Sequence, residues 1–213
     1  MDLVDDGAAH FSGLLASAEV DRLRAFFTAD SASRRLVAGS GLAALIGPAD
    51  VIAQALLPGA RPAFARYFHK SREANWALAW HQDRTIALAA HRDTPGFTAW
   101  TVKQGIAHAV PPFEYLERML ILRVHLDDTG EHQAPLLVAP SSHCLGAIAE
   151  TEIPAAVAGC GTHACLAASG DVWAYAAPIL HASTAIHAPG HRRVLQLAYS
   201  ADPLPGGLEW LGV

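Results

Sequence analysis

Cysteine is scarce in this chain: Cys144, Cys160 and Cys165 are the only three among 213 residues. The count is odd and no pair has Cys-x-x-Cys spacing, so no disulfide framework is expected, no catalytic role is assigned to the thiols, and a reducing cytoplasm is the expected setting. Basic runs are also missing, and the net charge is -5. That excludes the electrostatic footprint of a nucleic-acid or anionic-membrane binder. No apolar run reaches transmembrane length. The opening Met1-Asp2-Leu3-Val4-Asp5-Asp6 is acidic and has neither a positive n-region nor an apolar h-region, so a signal peptide is not expected. Repeats, linkers and low-complexity tracts are absent, and one domain over 1–213 is expected. What the chain does have is 52% hydrophobic residues, enough for a sizeable core, and 12 histidines, more than a core needs.

The N-terminal part reads as helical from about residue 12 to 60. Val20, Leu23, Phe26 and Phe27 recur at helical spacing, with Ser17 as expected N-cap and Glu19 and Asp21 in the first turns. Pro48 opens a second helix through Val51, Ile52, Ala55 and Leu56, which Leu57-Pro58-Gly59 ends. From about 62 to 202 the period is that of strands. Ala63–Phe68 leads into a polar loop, His69–Asn75, and a strand is expected over Trp76–Leu88. Residues 91–112 read as a long binding loop or lid, followed by a helical turn at Glu114–Glu117. Further strands are expected at Arg118–Leu126, Pro135–Pro140, Val172–Tyr175, Pro178–Ser183 and Arg192–Ser200, with 147–168 mixed and a turn at His187–Gly190. Many short strands behind a helical start predict a mainly β fold, a jelly roll with helices packed on one sheet.

Within the Trp76–Leu88 stretch, His81 and Asp83 are two residues apart, so on a strand they share a face with Thr85 and Ala87. An imidazole and a carboxylate aimed at one point are two parts of a 2-His-1-carboxylate triad, the protein half of non-haem Fe(II) sites. Alone, they also fit a strand-end pair bonded to loops or water. His181, far along the chain in a short apolar segment, is the candidate third ligand. Ser183 shares its face. Arg192 opens the last strand on the small, mixed face with Val194, Gln196 and Ala198. A guanidinium there pairs well with a carboxylate, and a dicarboxylate ligand would supply one.

Together these segments resemble the phytanoyl-CoA dioxygenase family of Fe(II)/2-oxoglutarate oxygenases. The resemblance runs through Phe11–Leu15, Asn75–Asp83, Arg123–Asp128, Pro135–His143, Gly170–Val172, His181–Ser183 and His191–Arg193. It implies a double-stranded β-helix, Fe(II) on His81, Asp83 and His181, and the far carboxylate of 2-oxoglutarate on Arg192 and Ser183, with Arg193 as the alternative to Arg192. Lys70, Asn75, Trp100, Lys103 and Arg123 fall in regions that line the site in relatives, Arg123 being a further cofactor-binding candidate. The implied reaction uses O2 to hydroxylate an unactivated C–H of a small molecule, releasing succinate and CO2. Halogenases of this kind lack the carboxylate ligand, so Asp83 points away from halogenation.

His143 is read as structural, and His125 as either structural or part of the site. His91, His108, His132, His163 and His187 are expected in exposed loops, and Trp76 and Trp80 in packing. The alternative function is a cupin-like metal-dependent isomerase or a non-catalytic jelly-roll ligand-binding protein. A cupin-like isomerase has no need of a dicarboxylate clamp at Arg192.

Overall fold

Leu195, Leu197 and Tyr199 alternate with Val194, Gln196 and Ala198 along the last strand, and this two-residue period divides the molecule into layers. In the computed structural model, residues 1–27, 33–36, 39–186 and 190–213 are described, without the side chains of Ser33 and Arg34; His187 and most of its expected turn lie outside them. The elements in order are β1 (Ala8–Phe11), α1 (Ser17–Phe26), β2 (Ser33–Leu36), α2 (Gly47–Leu56), β3 (Arg61–Lys70), β4 (Leu78–His81), β5 (Ile86–Leu88), β6 (Thr98–Lys103), β7 (Ile106–Val110), α3 (Phe113–Glu117), β8 (Leu120–His125), β9 (Leu136–Val138), α4 (Ile153–Cys160), β10 (His163–Cys165), β11 (Val172–Ala176), β12 (His181–Ser183) and β13 (Arg192–Ser200).

The strands form a six-stranded sheet, β1-β11-β8-β13-β3-β2, facing a four-stranded sheet, β10-β9-β12-β4. Their pairings are antiparallel. A third sheet, β5-β7-β6, adjoins them. This is the mainly β jelly roll expected. The outer face of the large sheet carries Leu122, Val124, Leu195, Leu197 and Tyr199, and buries them beneath Val20, Leu23, Ala49 and Ala53 of the two helices. Each fully buried leucine contributes roughly 1.5–3 kcal/mol. Tyr199 also donates its hydroxyl to Asp50 Oδ1 at 2.7 Å, tying α2 to β13. The inner face presents Ile121, Trp173, Tyr175 and Ala198 to Leu136 and Val138 of the smaller sheet. Among the described residues, no helix is long and apolar enough to cross a membrane.

Several local expectations change. Ser17 is the first residue of α1, and Ala16 is its cap, whose N–H donates to Glu19 Oε2 at 2.8 Å. Pro48 does open α2. The polar stretch His69-Lys70 belongs to β3, because β13 pairs with it as far as Arg192 opposite Lys70. Residues 91–112 are not a structureless loop. They hold the β6–β7 hairpin, closed by Gln104 and Gly105, both at positive φ (54° and 79°) with Lys103 opposite Ile106; two such residues make the turn whose twist suits a hairpin. The mixed stretch 147–168 holds α4 and β10.

Candidate functional site

The expected Trp76–Leu88 strand is broken. β4 ends at His81, and β5 begins at Ile86 in a different sheet. Gln82 lies at the break. It is buried, donates from Nε2 to Gly146 O (2.9 Å) and Pro178 O (2.8 Å), and accepts at Oε1 from the Ile148 N–H (2.9 Å). Its amide is thus fully used in fixing the turn between His81 and Asp83, so Gln82 is a positioning residue that the sequence reading missed.

His181 arrives from the neighbouring strand. It is the Cα partner of His81 across β12 and β4, and the two ring centroids are 4.2 Å apart. One ligand atom from each of His81, Asp83 and His181 lies within 4.8 Å of the other two. Each histidine is oriented in the same way: Nδ1 of His81 donates to Ala79 O at 2.8 Å, and Nδ1 of His181 to Ile179 O at 2.9 Å. A carbonyl can only accept, so Nδ1 carries the proton and the lone pair sits on Nε2, free to ligate. Burial is the main cause that lowers His181 to about 4, with Asp83 opposing it, so the ring is neutral at neutral pH. Two imidazole Nε2 atoms and one carboxylate are a donor set suited to Fe(II).

Behind the triad lies a cavity of about 440 Å³, mouth included, that also meets Arg192, Ser183, Lys70, Arg123 and Arg66. Arg192 is 2% exposed. Its Nη1 donates to Ala134 O, while its Nε is buried without a partner. Lys70, 1% exposed, donates from Nζ to Ser183 Oγ at 2.5 Å and to Thr184 O at 2.7 Å. Burial, then Arg192 and Arg123, pushes Lys70 down to about 7. Arg123 donates to Gln196 Oε1 at 3.1 Å. Asp83 is the only carboxylate among the described residues lining this cavity. A buried cationic wall of this kind is suited to an anion.

The other expected residues divide. Arg193 points to the opposite side of β13 and is bonded to Asp127 through Nε (2.9 Å) and Nη2 (2.6 Å); it does not reach the cavity. Asn75 clamps Ile186 through both of its amide atoms. Lys103 faces a second cavity, and the Trp100 ring lies tilted against His91, with centroids 4.2 Å apart. His125 is buried and bonded to Thr129 Oγ1 at 3.0 Å, outside the triad. His143 donates to Val4 O at 3.2 Å, and a Cβ on Gly7 would lie 2.4 Å from its ring, so it holds the N-terminal segment. His108, expected in an exposed loop, is buried on β7, and half-buried His163 is on β10. Trp80 packs on the α4 cluster, whereas Trp76 lines the cavity with its ring 5.0 Å from the Lys70 ammonium. Lys70, expected in a polar loop, continues the alternation of β3 from Phe64 and faces the cavity.

No protein-family model matches this sequence, and no curated protein matches it. Solved structures do. EctD from S. alaskensis in its apoform is 18% identical, with a TM-score of 0.70 over 99% of this chain and 78% of that one. AviO1 from Streptomyces viridochromogenes Tue57 is 19% identical, with a TM-score of 0.64 over 95% of each chain. HygX from Streptomyces hygroscopicus, solved with nickel and 2-oxoglutarate bound, is 14% identical, with a TM-score of 0.62 over 93% of this chain and 84% of that one. At these identities the likeness is one of fold, and the chain shares the jelly roll of these proteins.

Proposed function

We propose that this protein is a non-haem Fe(II)- and 2-oxoglutarate-dependent dioxygenase that hydroxylates an unactivated C–H of a small molecule. The observation that carries the reading is the convergence of His81, Asp83 and His181 within 4.8 Å, beside a buried Arg192 that has no carboxylate partner among the described residues. His81, Asp83 and His181 would hold the metal. Arg192, with Lys70 and Ser183, would hold the far carboxylate of 2-oxoglutarate, and Arg123 stands next to it. Fe(II) held there, with 2-oxoglutarate and O2, would supply the oxidising power to place one oxygen atom on the substrate C–H and the other in succinate, with CO2 as the second product.

The chain's own residues do the rest. The Nδ1–carbonyl bonds hold both imidazoles in the ligating tautomer, Gln82 keeps Asp83 next to His81, and Phe68, Trp76 and Leu136 supply the apolar part of the cavity wall. Asp83 fills the position that a halogenase leaves open for halide, which favours hydroxylation. Of the structurally similar proteins, HygX has been crystallised with nickel and 2-oxoglutarate, and SnoN is described as a non-heme alpha ketoglutarate dependent epimerase; both support the cofactor pair. A cupin-like isomerase would leave Lys70, Ser183 and Arg192 without an anion to hold, and a non-catalytic binding module would bind 2-oxoglutarate without forming succinate.

The test is succinate formation from 2-oxoglutarate with Fe(II), ascorbate and O2, together with calorimetric binding of 2-oxoglutarate. Binding and turnover are expected. No binding and no succinate across a broad substrate panel would overturn the reading.

A further inference from the structure

A second cavity, about 700 Å³ with its mouth included, shares Arg66, Asp83 and Gln196 as a common wall with the metal-side cavity. Its other end is apolar, with Ile86, Ile121 and Trp210 in its lining. Its polar lining is cationic: Arg35, Arg66 and Lys103 all face it. The strand register explains why. Arg35 on β2 is the Cα partner of Arg66 on β3, Arg66 is the partner of Gln196 on β13, and Gln196 is the partner of Arg123 on β8. Two arginines are therefore directly opposed across a sheet, which concentrates positive charge on this wall. Asp83 is the only carboxylate among the described residues lining either cavity, against six cationic side chains: Arg35, Arg66, Lys70, Lys103, Arg123 and Arg192. Arg35 Nε is buried without a partner. Lys103 Nζ reaches only Thr85 Oγ1, at 3.4 Å.

One dicarboxylate at Arg192 and Lys70 leaves Arg35 Nε without a partner and Lys103 with Thr85 among the described residues. We propose that the second cavity is the substrate chamber, and that it selects a small molecule with an anionic group on an apolar body, the anionic group held by Arg35, Arg66 and Lys103. The assignment of the cavity to a substrate rests on the oxygenase reading; the preference for an anion does not. Arg35 and Lys103 are the specificity-determining residues. Neither touches the triad's ligand atoms, and each can be changed without touching the Arg192 clamp.

The experiment uses the full chain loaded with Mn(II) and saturating 2-oxoglutarate, so that no turnover occurs and the Arg192 side is filled. Calorimetry then compares 4-phenylbutyrate, 4-phenylbutanol and 4-phenylbutylamine, which share one apolar body. The carboxylate is expected to bind at least about tenfold tighter than the alcohol, with the amine weakest. Lys103→Met and Arg35→Met are expected to bring carboxylate and alcohol within about twofold of each other, while Lys103→Arg keeps the preference. Equal binding of carboxylate and alcohol in the unaltered protein would overturn the proposal, as would a preference unchanged in both methionine variants, or no binding of any probe with 2-oxoglutarate in place. The two readings fail separately. If the protein does not bind 2-oxoglutarate but prefers the carboxylate probe in a way that Lys103→Met removes, the oxygenase reading falls and the anion preference stands. If 2-oxoglutarate binds and the preference is absent, only the present proposal falls.

Discussion

Lys70 and Arg192 are Cα partners across β3 and β13, both buried, and no carboxylate among the described residues lies between them. Among the described residues, the Lys70 ammonium donates hydrogen bonds only to Ser183 Oγ and the Thr184 carbonyl. Two opposed buried cations are a local cost in the ligand-free fold. The cost becomes binding energy when an anion enters.

Arg192 and its neighbour Arg193 separate that role cleanly. Arg192→Met is expected to weaken 2-oxoglutarate binding by about 2–4 kcal/mol, some 30- to 1,000-fold, because a charge-assisted bond in a buried site is lost. Arg193→Met should leave the affinity within about twofold, since its guanidinium is occupied by Asp127 on the other face of the strand. Calorimetry on the Mn(II)-loaded protein measures both, and equal losses would mean that the clamp has been assigned to the wrong arginine.

The low pKa of Lys70 gives the binding a pH dependence of definite sign. Burial and the two neighbouring arginines lower it from 10.5 to about 7. Above pH 7 the folded, ligand-free protein has a neutral Lys70, while the unfolded chain keeps its proton up to 10.5. The unfolded state therefore binds more protons between those values, and the Lys70 contribution makes stability rise with pH across that window. Anion binding favours the protonated form. The 2-oxoglutarate affinity should be greatest below about pH 7 and fall by up to about tenfold per unit above it, with one proton taken up on binding. Titrations in buffers of different ionisation enthalpy read that uptake. In Lys70→Met both the proton uptake and this part of the pH dependence should vanish.

Iron loading tests the triad. His81→Ala, Asp83→Ala and His181→Ala should each lose stoichiometric Fe(II), with affinity lower by more than the roughly 10- to 100-fold that loss of an outer partner costs. The readout is iron content after desalting. Retention of one iron per chain in any of the three would mean that residue is not a ligand. Asp83→Ala is the most informative, because it removes the one carboxylate of the proposed triad.

Gln82 acts through its backbone contacts. Gln82→Ala leaves two buried carbonyls and one buried N–H without partners. The expected loss is about 2–4 kcal/mol, or roughly 4–16 °C in Tm for a chain of this size. Fe(II) affinity should fall as well, because Asp83 is no longer held beside His81. An unchanged Tm in thermal unfolding would show that the 82–85 turn does not depend on this amide.

Where a period of two was sustained, the sequence was a good guide. The face of β8 with Leu120, Leu122 and Val124, and the face of β13 with Leu195 and Leu197, are buried under the helices as the alternation requires. His81 and Asp83 could be singled out because they are close in sequence, and Pro48 gave the start of α2 for a local reason. Reading failed where a local signal was weak or a distant partner decided. Gln104-Gly105 is a less obvious hairpin turn than Asn-Gly, so β6 and β7 were hidden. Lys70 and His108 are polar, which suggests loops, yet strand pairing and the cavity between sheets bury them. The break at Gln82 depends on Gly146, Ile148 and Pro178, none of which lies near it in sequence.

The amino-acid sequence alone determined the fold class, the two-faced strands and the residue types capable of holding a metal, because these follow from periodicity and side-chain chemistry over a few residues. It also singled out Arg192 and Ser183 as candidates for one side of an anion site. Only the tertiary structure decided that His181 stands opposite His81, that Arg193 turns away, and that Arg35, Arg66, Lys70, Lys103 and Arg123 crowd around one carboxylate. These relationships are set by register between strands far apart in the chain, and a shift of one residue would turn each side chain to the other face.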